Sequence, residues 1–465
     1  MADHCLQRLQ SFHKIFPSDL KQRRTEFCSE LRRQKRELVI LKNRGLSTDF
    51  SKLINIEKNP EIKNQIIKTE KYKTFVSSKY FPNNTKKYEK IIEFLKSHLN
   101  ILSDKQLIIN CLLILIELTL SIELEELLYQ NKFVDLCLDL LDFDSKLISE
   151  YSIWCLSNLS IGNPKTRKEI IESFNFTKII TFCNKYIENS LGKVSIWCLT
   201  TIIRVRPMIF SEKIPLLLEL FINLTPLLND QESLIEVLWA LERLTNNISA
   251  TLAILIKRRF LLKICRLISN LNNDIALPCL KIVNNLIRQR LKVRDIVACH
   301  ILDLVVKALS SKNYKLVKEG ICTVNQLTIL EAYSVTDISK HKIVKKTIKI
   351  VPYFGESVRI EAADFLSNLI HLSNFQSLNE LIKKKCIFFL CGLLDSVSNQ
   401  VKYLALQAIY ETFKLYFKFL EGDDKNLYFE QMENCSGLSQ IEKLVYSNEP
   451  HISDLALEII DLYKD

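Results

Sequence analysis

IWCLSNLS at residues 153–160, IWCLTTII at 196–203 and LWALERLT at 238–245 decide how this chain folds. They carry its three tryptophans, Trp154, Trp197 and Trp239, in one pattern, W-x-L-x-x-[LI], at spacings of 43 and 42 residues. The same interval continues to Leu112 in NCLLILIELT, Lys281 in LKIVNNLI, Cys322 in ICTVNQLT, Asp364 in ADFLSNLI and Leu406 in LALQAIYE. Each stop falls in a stretch with apolar residues at helical spacing. The segments before the anchors, KFVDLCLDLLDF, FTKIITFCNKYI and LLKICRLISNL, are patterned the same way. A period near 42 fits a repeat of three helices whose apolar faces are covered only by stacking on neighbours.

Composition agrees. With 48% apolar residues but only 8 Gly and 10 Pro in 465, the chain reads as helices joined by short loops. Its 14 cysteines are scattered (Cys111, Cys137, Cys155, Cys183, Cys198, Cys265 and Cys279 among them) and form no C-x-x-C. They read as small buried hydrophobes in a reducing compartment, with no metal site. The N-terminus has no apolar core for a signal peptide, and the run Leu107–Ile116 is too short for a bilayer, which needs about 20 residues. A soluble protein is expected. Glycine-rich phosphate loops, G-x-S-x-G and H-E-x-x-H are missing from the sequence, so no enzyme and no cofactor are expected.

The formal net charge is +11. Residues 1–46 hold 11 Lys and Arg against 5 Asp and Glu, so over half the excess sits in a tenth of the chain. The stretch RRTEFCSELRRQKRELVILKNRG there suits a helix with a thin apolar stripe, Phe27, Leu31 and Leu38. Glu26, Glu30 and Glu37 within the run disfavour a plain phosphate-binding arm.

In a superhelical array the last helix of each repeat lines the concave face. Residues four apart on it point together, so Trp154 and Asn158 would project into the groove, with Trp197 and Trp239 on the next rungs. Slots between indole rings suit the aliphatic stems of Lys and Arg, and ring faces attract their charges. Asn amides offer a donor and an acceptor to an extended peptide backbone. A lone Trp at a repeat position is usually core. Three in phase, in helices already rich in Leu and Ile, favour recognition.

RLQSFHK (8–14) followed by RRTEFCSELRRQKRELVILKNRG resembles the importin-β-binding segment of the importin-α family. IWCLSNL and LWALERL resemble that family's W-A-L-G-N and W-A-I-S-Y repeats, and ENCSGLSQIEKL (433–444) its last-repeat E-x-C-G-G-L-D-x-I-E-x-L. The resemblance runs in the family's order over nearly the whole chain. It implies an all-α, right-handed armadillo-repeat superhelical solenoid behind a basic importin-β-binding helix. The divisions expected are a segment at 1–50, a linker at 51–78 and an array at 79–465 ending in a capping repeat.

The function implied is nuclear import: an adaptor that holds cargo bearing a basic nuclear localisation signal, binds importin-β, shuttles between cytoplasm and nucleus and returns on an export receptor. Contacts to importin-β would come from Arg23, Arg24, Leu31, Arg32, Arg33, Lys35, Arg36, Lys42 and Arg44. The larger cargo site would comprise Trp154, Asn158, Trp197, Thr201, Arg204, Glu236 and Trp239. The smaller would comprise Asn285, Glu319, Gln326, Glu361 and Asn368. Departures from the family pattern are expected to narrow recognition. Leu112 and Ile116 (Leu113 and Glu117 if a residue is gapped) stand for a Trp-Asn pair, Thr201 for Asn, Arg243 for Tyr, Gly162 for an acid, Cys322 and Asp364 for two Trp, and Gln326 for Asn. Lys42-Asn43-Arg44 lacks the central charge of the family's K-R-R, which weakens self-inhibition. Other readings are an armadillo scaffold binding different peptides and a nucleic-acid-associated solenoid.

Overall fold

A computed structural model describes residue 72 and residues 85–119, 124–206, 212–246, 248–270, 272–419 and 426–464. The basic N-terminal segment, with Arg23, Arg24, Leu31, Arg32, Arg33, Lys35, Arg36, Lys42 and Arg44, lies outside the described residues, as does the linker apart from Tyr72. Two compact units divide the chain, one ending at Leu244 and one beginning at Thr245.

The first unit opens with α1 (Thr85–His98) and α2 (Lys105–Leu118). A short helix α3 (Glu125–Gln130), a medium α4 (Phe133–Asp139) and a long α5 (Lys146–Gly162) follow. The triplet recurs as α6 (Pro164–Glu172), α7 (Phe176–Lys185) and α8 (Ser190–Arg204), and then α9 (Ile214–Leu224) precedes α10 (Gln231–Thr245). The long helices α2, α5 and α8 pack in succession. Lys193 reaching Asp230 at 2.9 Å ties α8 to the start of α10. The anchor tryptophans sit mid-helix on α5, α8 and α10, as the 42-residue interval requires.

The second unit repeats the motif. Its triplets are α11 (Ala250–Ala253), α12 (Arg258–Ile268) and α13 (Asn273–Arg288), then α14 (Val293–Val297), α15 (Ile301–Ala308) and α16 (Tyr314–Ile329). Next come α17 (Val335–Lys340), α18 (Lys342–Ile350) and α19 (Glu356–His371), then α20 (Phe375–Lys383), α21 (Cys386–Leu393) and α22 (Asn399–Phe419). The last triplet is α23 (Asn426–Asn434), α24 (Gly437–Leu444) and α25 (Pro450–Lys464). Here α13, α16, α19, α22 and α25 pack one on the next. A short-medium-long triplet of helices at this interval is the armadillo arrangement.

Local sequence explains the helix boundaries. Asparagine recurs as the N-cap. Asn163, with Pro164 in the first turn, accepts from Lys165 N, Asn272 from Asp274 N, Asn313 from Lys315 N, and Asn374 forms a capping box with Ser377. The turn from the short to the medium helix often uses a left-handed residue that is not glycine: Lys132, His300, Lys385 and Ser436 have φ of 59°, 54°, 64° and 53°. Such a conformation costs about 1–2 kcal/mol for an ordinary side chain, offset by packing of the two helices it joins. Long-helix residues such as Leu156, Leu199, Leu241, Leu286, Leu327 and Leu366 are fully buried, each contributing about 2 kcal/mol by its removal from water. The twelve cysteines among the described residues are in the thiol form, and nine of them are buried.

Candidate groove sites on the long helices

In the first unit the three tryptophans are unequally placed. Trp154 is only 8% exposed, whereas Trp197 and Trp239 are half-buried. The ring of Trp197 meets that of Trp154 edge to face, with centroids 6.5 Å apart and planes at 85°. This is the arrangement ring quadrupoles favour. It fills the slot expected between these two indoles, so a Lys or Arg stem enters there only if Trp197 turns aside.

Asn158 is buried and its Nδ2 donates to Thr119 Oγ1 at 2.8 Å, locking α5 onto the end of α2. Its Oδ1 is buried with no hydrogen-bond partner. The groove amide thus offers an acceptor, where a free amide would offer both functions. An acceptor left so costs about 1–3 kcal/mol, recovered when an N–H reaches it. Thr201 is buried. Arg204 Nη1 and Glu236 Oε2 form a close ion pair across α8 and α10, and Thr200 Oγ1 lies 3.5 Å from the same carboxylate oxygen. The two charges therefore largely cancel. Arg243 is half-buried, and burial, with Arg206 adding, lowers its proton affinity.

Gly162, where the family resemblance implies an acid, has a carboxylate beside it. A Cβ at position 162 would fall on the carboxylate of Glu125, which reaches up from α3. Neighbouring Glu126 Oε2 accepts from Asn163 Nδ2 at 3.4 Å. A carboxylate from 37 residues upstream thus stands beside Gly162. Sequence reasoning missed it because a repeat interval relates like positions only, and α3 is a different helix of the triplet.

The second unit carries a polar row of another kind. Asn285 is buried, donating to Thr245 Oγ1 at 3.3 Å and accepting from Arg288 Nη2 at 2.6 Å. Asn284, one residue earlier, reaches forward: its Nδ2 donates to Glu319 Oε1 at 2.6 Å and to Cys322 Sγ at 3.3 Å. Asn325 does the same one repeat on, donating to Asp364 Oδ2 at 2.6 Å and accepting from Asn368 Nδ2 at 3.0 Å. The family resemblance pointed to Asn285, Gln326 and Asn368, each four residues past its anchor. Asn284 and Asn325 sit three from theirs, which is equally near on a helix. Gln326 is buried, and Glu319, Glu361 and Asn368 are half-buried.

Carboxylates dominate this row. Glu361 pairs with Lys318 at 3.6 Å. Burial, opposed by Lys318 and reinforced by Asp364 and Glu319, raises its pKa to about 7. Burial first, then Glu361 and Glu319, push the Cys322 thiol well up. Where rings were absent from the sequence, a cluster of Glu319, Glu361 and Asp364 stands instead. Such a cluster can attract a cation without stacking. No group of three or more His, Cys, Asp or Glu among the described residues is placed to hold a metal ion. No described helix is long and apolar enough to cross a membrane.

No family model matches the sequence. Importin subunit alpha-1b of Oryza sativa subsp. japonica is 20% identical over 334 residues, which are 71% of this chain and 62% of that protein. The chain thus spans under two thirds of that relative's length. Among solved structures, an engineered protein superposes with a TM-score of 0.68 at 16% identity, covering 90% of this chain and 99% of its own. A designed armadillo repeat protein gives a TM-score of 0.41 at 17% identity over 54% of this chain and 99% of its own. The chain is similar to an importin-α in sequence and to the engineered protein in fold.

Proposed function

We propose that the chain is a nuclear-import adaptor: an armadillo solenoid that takes an extended basic peptide along the long helices of its first unit. The observation that carries this reading is the pair of half-buried indoles, Trp197 and Trp239, on successive long helices, together with a buried, unsatisfied acceptor at Asn158 on the long helix before them. A Lys or Arg stem lies against the rings while a peptide N–H reaches Asn158 Oδ1. Glu125, standing in for the acid absent at Gly162, neutralises an ammonium there. Thr201, Arg204 and Glu236 frame the site, with the Arg204–Glu236 pair opening to face peptide charge.

In the second unit Asn285, Glu319, Gln326, Glu361 and Asn368 form a weaker, purely electrostatic site. Residues 1–50, through Arg23, Arg24, Leu31, Arg32, Arg33, Lys35, Arg36, Lys42 and Arg44, bind importin-β, and residues 51–78 link them to the array. Cargo is any protein with a basic localisation signal, the adaptor cycles between cytoplasm and nucleus, and an export receptor returns it. The similarity to an importin-α supports the peptide-binding and shuttling parts of this reading.

Two measurements test the reading. Full-length chain should capture importin-β, and changing Arg32, Arg33, Lys35 and Arg36 to Ala should abolish capture. A two-cluster basic peptide should bind little better than its single first-unit cluster in calorimetric titration. Failure of importin-β capture leaves a peptide-binding scaffold; strong two-site binding contradicts the weak second site.

A further inference from the structure

Among the described residues, three cysteine pairs meet thiol to thiol, one between two helices and two between a helix and a turn: Cys137 with Cys155, Cys265 with Cys299, and Cys391 with Cys435. Their surroundings differ. Cys137 and Cys155 are fully buried, and burial, with Cys137 adding, pushes Cys155 well up. Burial likewise pushes Cys265 up. Such thiols are inert.

The third pair is built otherwise. Cys435 lies in the turn between α23 and α24, half-buried between exposed Asn434 and Ser436. The Cys391 thiol, from the buried face of α21, hydrogen-bonds to it and holds its pKa down to about 7, helped by the Gly437 N–H at the start of α24 and opposed by burial. The same contact, and burial, push Cys391 up. Glycine at 437 is what lets the turn come so close: a Cβ there would stand 2.7 Å from Cys391 Sγ and 3.2 Å from Met432 Cε. Soft sulfur surrounds the pair, with Cys391 Sγ 3.6 Å from Met432 Sδ. One partner is reachable and the other is held behind it.

We propose that Cys435 and Cys391 form a hydroperoxide-responsive pair, Cys435 attacking and Cys391 resolving, which closes a disulfide tying α21 to the α23–α24 turn. The Cys435 thiolate attacks the terminal peroxide oxygen. An S–O bond forms, the O–O bond breaks, and the departing alkoxide (hydroxide from hydrogen peroxide) takes up the proton the Cys435 thiol released. Cys391 then attacks the sulfenic sulfur. An S–S bond forms, the S–O bond breaks, and the hydroxide leaves as water with the Cys391 proton. The two thiols lose two electrons and the hydroperoxide gains them. A dithiol reverses the change by exchange. The product staples the last two repeats of the second unit.

The test uses the full chain. Hydrogen peroxide followed by peptide mapping without reductant should find Cys391 joined to Cys435, with Cys137, Cys155, Cys265 and Cys299 still thiols. In Cys391→Ala, dimedone should trap a sulfenic acid on Cys435. In Cys435→Ala, Cys391 should stay reduced. Iodoacetamide labelling of Cys435 in the unaltered protein should show a midpoint near pH 7. At that pH it should run about threefold faster than a thiol of ordinary acidity, the thiolate gain being partly offset by weaker nucleophilicity. In Cys391→Ala the midpoint should move up. An ordinary midpoint for Cys435, or peroxide leaving both residues as thiols, overturns the proposal. Both readouts exist in the unaltered protein should a variant fail to fold.

Discussion

Trp154 and Trp197 share a motif and a ring contact, yet their burial assigns them different work. Replacing Trp154 by Ala empties a site that is nearly closed and should cost about 3–5 kcal/mol of stability, read by denaturant unfolding. Replacing Trp197 or Trp239 should cost less stability but about tenfold or more in affinity for a basic peptide, as large exposed anchors do. Equal stability losses at all three positions would contradict this division. Glu361 gives a second residue-scale prediction. Its pKa in the folded chain, about 7, is above that of an ordinary carboxyl, so folding binds a proton at that site. The resulting stability is fully present below about pH 4.3 and lost as pH rises through 7. Glu361→Gln should therefore leave the second unit nearly unchanged at pH 4 and stabilise it by about 3 kcal/mol at pH 8. A thermal melt at both values checks it, and a pH-independent difference would contradict it. The tryptophan interval made the rungs legible, but the family resemblance pointed to Asn285 and Gln326, one residue past Asn284 and Asn325. Which amide of an adjacent pair reaches the next helix depends on the angle between helices, which no single helix encodes.

At the scale of elements, the sequence showed the long helices plainly because apolar residues recur there over four turns. The short helices were harder to read, since four to nine residues give little periodicity. The turns were hardest, because left-handed positions fall on Lys132, His300, Lys385 and Ser436, where glycine would have marked them. Lys385→Ile, a β-branched side chain at φ 64°, should lower stability by about 1–2 kcal/mol, whereas Lys385→Gly should be neutral or stabilising. Equal effects of the two would show that the turn is not left-handed in solution. The junction of α3 with the end of α5 makes a similar demand. Gly162→Asp drives a second carboxylate onto Glu125 and should destabilise the first unit, and adding Glu125→Ala should restore most of the loss. Additive losses in that double-mutant cycle would mean the two positions do not meet.

Across the whole molecule the two units divide the chemistry. The first carries the indoles, a neutralised Arg204–Glu236 pair and a relayed acid at Glu125. The second carries a carboxylate cluster around Glu361 and the Cys391–Cys435 pair. Composition made the all-helical class legible, and the repeat interval made its architecture legible. The division at Leu244 was not, because the interval runs through it unchanged and only three-dimensional contacts reveal it. The central claim is that half-open indoles on α8 and α10 hold a cationic peptide. Calorimetric titration of the full chain with a single-cluster Lys/Arg peptide tests it most directly, alongside Trp197→Ala, Trp239→Ala and Glu361→Gln. Affinity should fall about tenfold or more in each tryptophan variant and stay nearly unchanged in Glu361→Gln. Unchanged binding in both tryptophan variants would contradict the account.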